Sequence, residues 1–254
     1  MTTQGAFVWY DLMTPDPDAA QAFYGSVVGW TARDSGMPGQ AYTLFLVGER
    51  GVVGLMAMPE DVPPGMPPCW TGYVAVNDVD AMAADYAADG GKVLKSPQDI
   101  PGVGRFAVVA DPQGAALCIF RGEGEEPPKP APGAPGYVGW HELISSDAAA
   151  GFDFYAKHFG WSKLEALDMG EMGVYQMFGH EGEAIGGMMN RPPHIPVSYW
   201  GFYFNVPEID AAVERVKAGG GHILHGPAPV PGGSVIAQCR DPQGAFFSLV
   251  APQS

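Results

Sequence analysis

The stretch from Trp9 to Trp30, WYDLMTPDPDAAQAFYGSVVGW, is written twice. It returns 131 positions later as Trp140 to Trp161, WHELISSDAAAGFDFYAKHFGW. Trp9 matches Trp140, Asp11 matches Glu142, Leu12 matches Leu143 and Asp16 matches Asp147. Phe23-Tyr24 and Gly29-Trp30 return as Phe154-Tyr155 and Gly160-Trp161. The echo continues: Tyr42 and Gly54 become Tyr175 and Gly187, and Trp70 and Tyr73 become Trp200 and Tyr203. Asp111-Pro112-Gln113-Gly114 becomes Asp241-Pro242-Gln243-Gly244. All six tryptophans pair in this way. Self-similarity at a fixed period constrains architecture more than any local propensity. A chain of 254 residues then reads as two domains of about 120 residues, each large enough for its own core.

Between the copies, residues 122–136 (GEGEEPPKPAPGAPG) are nearly all Gly, Pro and Glu, a composition that cannot bury a core and suits a semi-extended linker. The expected division is residues 1–121, a linker over 122–136, and residues 137–254. Composition bounds the partners. A chain 46% hydrophobic and 16% charged is globular rather than disordered. Its net charge of −15 repels phosphate backbones and anionic lipid, so neither nucleic acid nor a membrane surface is an expected partner. No apolar run approaches the roughly 20 residues of a membrane-spanning helix, and no secretory signal is visible. Cys69, Cys118 and Cys239 show no metal-type spacing, which fits reduced thiols and a cytoplasmic location.

Residues 6–13 are rich in aromatic and β-branched types and predict a strand. Asp16 or Thr14 then caps a helix to about Val28, with prolines tolerated in its first turn and Gly29 as its stop. Strands follow near 30–34, 41–47 and 51–58. The pattern then renews with a strand at 70–76, a helix from Asp78 to Asp89, and strands near 91–95, 103–110 and 115–121. Each half reads βαβββ-βαβββ. Asp-Pro-Gln-Gly suits a type I turn between the last two strands and needs no chemistry to explain it. The Phe-Tyr pairs lie on an apolar helix stripe and read as core.

Side chains alternate along a strand, so Trp9, Asp11 and Met13 share a face opposite to Val8, Tyr10 and Leu12. Trp140, Glu142 and Ile144 match the first set. The leucine face is expected against the helices, which leaves an acid on the open face of both halves. His141 falls on the helix side and reads as a buried, hydrogen-bonded histidine. His222 and His225 fall in a Gly/Pro-rich stretch read as a solvated loop.

The pattern W-x-[DE]-L-x-x-x-D, FY, GW, then W-x-x-Y and DPQG, resembles the vicinal-oxygen-chelate superfamily of glyoxalases, extradiol dioxygenases and bleomycin-resistance proteins. More narrowly it is similar to tandem two-domain glyoxalase-like proteins. The resemblance covers both halves. It implies an α+β fold in which paired βαβββ modules form curved, mostly antiparallel sheets around a cleft, with the halves as an internal pseudo-dimer compatible with a monomer. In metal-dependent members, ligands stand on the first, fifth and eighth strands, typically His, His and Glu. Here those positions hold Trp9 or Trp140, a site near Thr71 or Gly201, and Cys118 or Ser248. No cofactor is therefore expected, and a divalent metal is a minority alternative.

Asp11 and Glu142 are the candidate general bases. A carboxylate walled by Trp and Met would be desolvated and tuned for proton transfer. The bland account has each acid accepting hydrogen bonds from Tyr73, Tyr203 or backbone amides. Trp9, Trp140, Tyr73, Tyr203, Cys118, Ser248 and Met56 are the candidate ligand contacts. The expected function is binding of a small organic metabolite with metal-independent lyase, isomerase or hydrolase chemistry. The alternatives are sequestration of an antibiotic or secondary metabolite, and a metal-dependent glyoxalase or dioxygenase.

Overall fold

The computed structural model describes residues 4–253 except 38, 40, 61, 63, 64 and 125–127, so three positions of the expected linker lie outside the described residues. The first half runs β1 (Phe7–Thr14), α1 (Pro17–Val28), β2 (Thr31–Asp34), β3 (Tyr42–Val47) and β4 (Arg50–Ala57). It continues with β5 (Cys69–Ala75), α2 (Val79–Ala88), β6 (Lys92–Ile100), β7 (Gly104–Ala110) and β8 (Ala116–Gly122). The second half repeats this as β9 (Val138–Ser145), α3 (Ala148–Phe159), β10 (Ser162–Asp168), β11 (Val174–His180) and β12 (Glu183–Asn190). It ends with β13 (Tyr199–Asn205), α4 (Ile209–Ala218), β14 (His222–Val230), β15 (Ser234–Arg240) and β16 (Phe246–Pro252). A short 3-10 turn at Gly170–Met172 stands between β10 and β11.

Each half forms one eight-stranded sheet, ordered β2-β3-β4-β1-β5-β8-β7-β6 and β10-β11-β12-β9-β13-β16-β15-β14. The hairpin pairings are antiparallel, while β1–β4, β5–β8, β9–β12 and β13–β16 are parallel. This is the expected tandem α+β architecture. His222 and His225 correct one expectation: they lie on β14 at a sheet edge, exposed there rather than in a loop. Glycine and proline there accompany register shifts between Ile223 and Ala228, so turn-type composition marked an irregular edge strand.

The local rules that start and stop the helices hold in both copies. Asp16 and Asp147, in extended backbone, accept the N–H of Ala19 and Ala150 at 3.0 Å. Gly29 and Gly160 close α1 and α3 in the left-handed conformation, φ 90° and 72°, where a Cβ would be strained. The tryptophan that follows each glycine anchors the turn. Trp30 Nε1 donates to Gly136 O and Trp161 Nε1 to Gly5 O, both at 2.8 Å.

Two compact units emerge, each joining one βαβββ module from either half. The first gathers Met1–Val8, Thr71–Pro128 and Trp140–Gly201, and the second Trp9–Trp70, Lys129–Gly139 and Phe202–Ser254. Their cores use the repeated residues reciprocally. In the second unit, buried Tyr24 donates to Asp241 Oδ2 at 3.0 Å and accepts from Trp70 Nε1 at 3.1 Å. In the first, Tyr155 donates to Asp111 Oδ2 at 3.1 Å and accepts from Trp200 Nε1 at 3.0 Å. The Asp of Asp-Pro-Gln-Gly thus does more than make a turn. Asp241 also accepts the N–H groups of Gln243, Gly244 and Ala245, which supplies the bonds a buried carboxylate requires. Burial pushes the Asp111 carboxyl above its usual range, against the hydrogen bonds it accepts from Ala115, Tyr155, Gln113 and Gly114.

Candidate functional site

The acids of the first strands are buried. Asp11 is 4% exposed and Glu142 8%. Asp11 Oδ1 accepts from the Tyr42 hydroxyl at 2.6 Å and from Trp9 Nε1 at 2.9 Å, and the same indole N–H lies 2.7 Å from the Tyr42 oxygen. In the second copy Trp140 Nε1 donates to the Tyr175 oxygen at 2.7 Å, and Tyr175 donates to Glu142 Oε1 at 3.1 Å. A charge-assisted bond of this type is worth about 1.5–3 kcal/mol. Tryptophan, acid and tyrosine therefore form one recurring constellation.

Gly54 and Gly187 explain why a glycine recurs with each tyrosine. They pair in register with Asp11 and Glu142. A Cβ on Gly54 would fall 1.8 Å from the Tyr42 hydroxyl, and one on Gly187 would fall 2.0 Å from the Tyr175 ring. The bare backbone is the floor on which each tyrosine lies to reach its acid.

Trp9, Asp11 and their counterparts Trp140 and Glu142 are thus brought together by residues that the sequence singled out only as recurring positions, Tyr42 and Tyr175. Met56 is half-buried and pairs in register with Met13, two residues past Gly54 on the same face. Tyr73 lies opposite Cys118 and Tyr203 opposite Ser248, each pair buried. Gln238 Nε2 donates to the Tyr203 hydroxyl at 3.0 Å. His141 is buried as expected. Its Nδ1 donates to Ile185 O at 2.6 Å, its ring stacks on Phe7 at 3.9 Å, and burial pulls its pKa down to about 4.

Tyr199 was not foreseen. It precedes Trp200 on β13, and a Cβ added at Gly201 would lie 3.7 Å from its ring and 4.0 Å from the Cβ of Glu142. Burial, with the nearby Glu142 charge second, pushes the Tyr199 hydroxyl up to about 12, and the same two causes push Tyr175 still higher. Both phenols keep their protons at neutral pH. The first half offers no echo that would flag Tyr199, because Cys69 stands at the matching position.

A cavity of about 330 Å³ opens farther along the Glu142 face, lined by Glu171, Met172, Met189, Arg191, Pro192 and Pro193 among others. Met189 lies two residues past Gly187 and so projects from the same side of the sheet. Neither cavity is lined by a site residue predicted from the sequence; the second, of about 350 Å³, lies beside Asp85, Asp89, Lys157 and His158. An ion pair of 2.6 Å between Lys157 and Asp89 crosses its wall, and the cavity on the acid-bearing face is the better candidate.

The positions that hold metal in metal-dependent relatives do not supply a donor set. An indole N–H at Trp9 or Trp140 offers no lone pair, Gly201 has no side chain, and Cys118 is a buried thiol. Among the described residues, no group of three or more His, Cys, Asp or Glu is placed to hold a metal ion. No described helix is long and apolar enough to cross a membrane.

The family model of the Glyoxalase/Bleomycin resistance protein/Dioxygenase superfamily matches residues 6–119 and again 137–249. The chain is 32% identical over 252 residues to "Putative glyoxylase CFP32" of Mycobacterium bovis, covering 98% of this chain and 95% of that one. It is 36% identical over 263 residues to "Anthracycline biosynthesis protein DnrV" of Streptomyces peucetius, covering 97% and 93%. The Mn(II)-bound glyoxalase of Novosphingobium aromaticivorans superposes with a TM-score of 0.66 at 18% identity, covering 100% of this chain and 84% of that one. At that identity the likeness speaks to fold alone.

Proposed function

The chain belongs to the Glyoxalase/Bleomycin resistance protein/Dioxygenase superfamily, and from that membership we propose that it binds a small oxygenated organic molecule on the acid-bearing sheet face, with Glu142 as the proton-transfer group. The observation that carries this reading is a buried carboxylate fixed by Tyr175, with the protonated Tyr199 beside it and a cavity opening along the same face. Glu142 takes a proton from a carbon next to a carbonyl group. The C–H electrons move onto the carbonyl oxygen, and a tyrosine hydroxyl donates a hydrogen bond to that oxygen. Return of the proton to a neighbouring carbon gives an isomer, and departure of a neighbouring group gives a lyase reaction. Asp11 is the matching candidate in the first half. The donor set gives no step that runs through a metal.

The experiment is proton exchange from D2O into a panel of enolisable hydroxyketones and anthracycline-type aglycones, followed by mass spectrometry. The aglycones are included because one relative is named for anthracycline biosynthesis. Glu142→Gln is expected to lower exchange about 100-fold or more, and Asp11→Asn to leave most of it. Unchanged exchange in Glu142→Gln removes that residue as the base. A second reading, sequestration without turnover, is favoured by the tryptophans beside both acids, since an indole face suits a flat ligand. It predicts stoichiometric binding, tryptophan quenching and no exchange in any variant.

A further inference from the structure

Arg191 follows the last residue of β12 and lines the cavity on the Glu142 face. Its backbone N–H donates to Ser145 O at 2.7 Å, and its Nη1 donates to Ile195 O, which ties the head group to its own loop. Among the described residues this half-buried guanidinium forms no ion pair. Arginine presents five N–H donors in a planar fork suited to carboxylates. Around it the wall is Met172, which is 55% exposed, with Met189, Pro192 and Pro193. A chain of net charge −15 admits an anion only where a local cation offsets that field. Glu171, on the 3-10 turn, lines the same cavity and bars the opposite orientation.

Resting on the proton-transfer reading of Glu142, we propose that this cavity is the anchor for a carboxylate on an otherwise apolar, ring-containing ligand, with Arg191 as the residue that selects it. Gly187 is level with Glu142, and Arg191 lies four residues farther along the chain. At about 3.3 Å per residue the two Cα positions are about 13 Å apart. Ile144 and Met189, in register with each other, form the wall between. A ligand that touches both ends is a multi-ring body rather than a triose-sized metabolite. The device belongs to the second half alone. Met58 stands at the position matching Arg191, and residues 170–172 fall where the offset between the halves grows from 131 to 133.

The test is calorimetric titration of the full chain with 2-naphthoate and its neutral counterpart 2-naphthamide. Naphthoate is expected to bind about 10-fold or more tightly than naphthamide, as a charged hydrogen bond implies. Arg191→Met is expected to erase that preference, so that the two compounds bind with equal affinity. Glu171→Gln, on an exposed turn, is expected to tighten naphthoate about 2-fold and gives a readout if Arg191→Met does not fold. Equal affinities in the wild type, or an undiminished preference in Arg191→Met, overturn the anchor. Naphthamide binding without a carboxylate preference overturns the anchor and leaves the cleft. Binding of neither compound overturns both.

Discussion

In the first half Asp11 Oδ1 receives the Tyr42 hydroxyl and the Trp9 indole at 2.6 and 2.9 Å; in the second, Glu142 Oε1 receives Tyr175 at 3.1 Å while Trp140 donates to the tyrosine. The same residue types on the same strands thus give a tyrosine–carboxylate bond of 2.6 Å in one copy and 3.1 Å in the other. The surroundings diverge in the same sense. Tyr199 and Arg191 stand in the second copy, where the first has Cys69 and Met58. The clasp recurs in both copies, while the proposed chemistry rests on the second alone.

The comparison breaks most visibly at the glycine floors. Ala at Gly54 or Gly187 forces the tyrosine off its acid, and each change is expected to cost about 3 kcal/mol of stability by overpacking, measured by urea denaturation. Only Gly187→Ala should also abolish ligand binding. Equal loss of binding from Gly54→Ala would show that both copies work.

His141 gives the next largest effect, because its counterpart is Tyr10. Burial holds its folded pKa at about 4, below its ordinary 6.5. The unfolded chain therefore takes up a proton first as pH falls. The stability that neutral His141 contributes is complete above pH 6.5 and is lost as pH falls toward 4, amounting to about 3 kcal/mol at most. Melting curves from pH 7 to pH 4 should fall more steeply for wild type than for His141→Phe. Parallel curves would mean that the ring charges in place.

The smallest effect should be symmetric. Tyr24→Phe and Tyr155→Phe each remove a bond to a buried Asp and are expected to cost about 1.5 kcal/mol, equal within error. A clear inequality would show that the two reciprocal anchors have diverged as the acids have.

Recurrence in the sequence made the architecture legible and hid what is particular to one copy. The strands, both acids and the helix caps follow from alternation and capping chemistry, which are local. Tyr42 and Tyr175 recur with Gly54 and Gly187, so their importance was visible. Their role was not, since it depends on a bond from β3 to β1 and from β11 to β9. Tyr199 and Arg191 have no echo and carry no motif, so only their position in space brings them to the site.

The reciprocal Tyr–Asp anchors also bear on synthesis. The first module's Tyr24 waits for Asp241, which the ribosome delivers 217 residues later. Contacts so distant in sequence close late and slow folding. A nascent chain halted after β8 would hold half of each compact unit, with aromatic surface bare and in need of a chaperone.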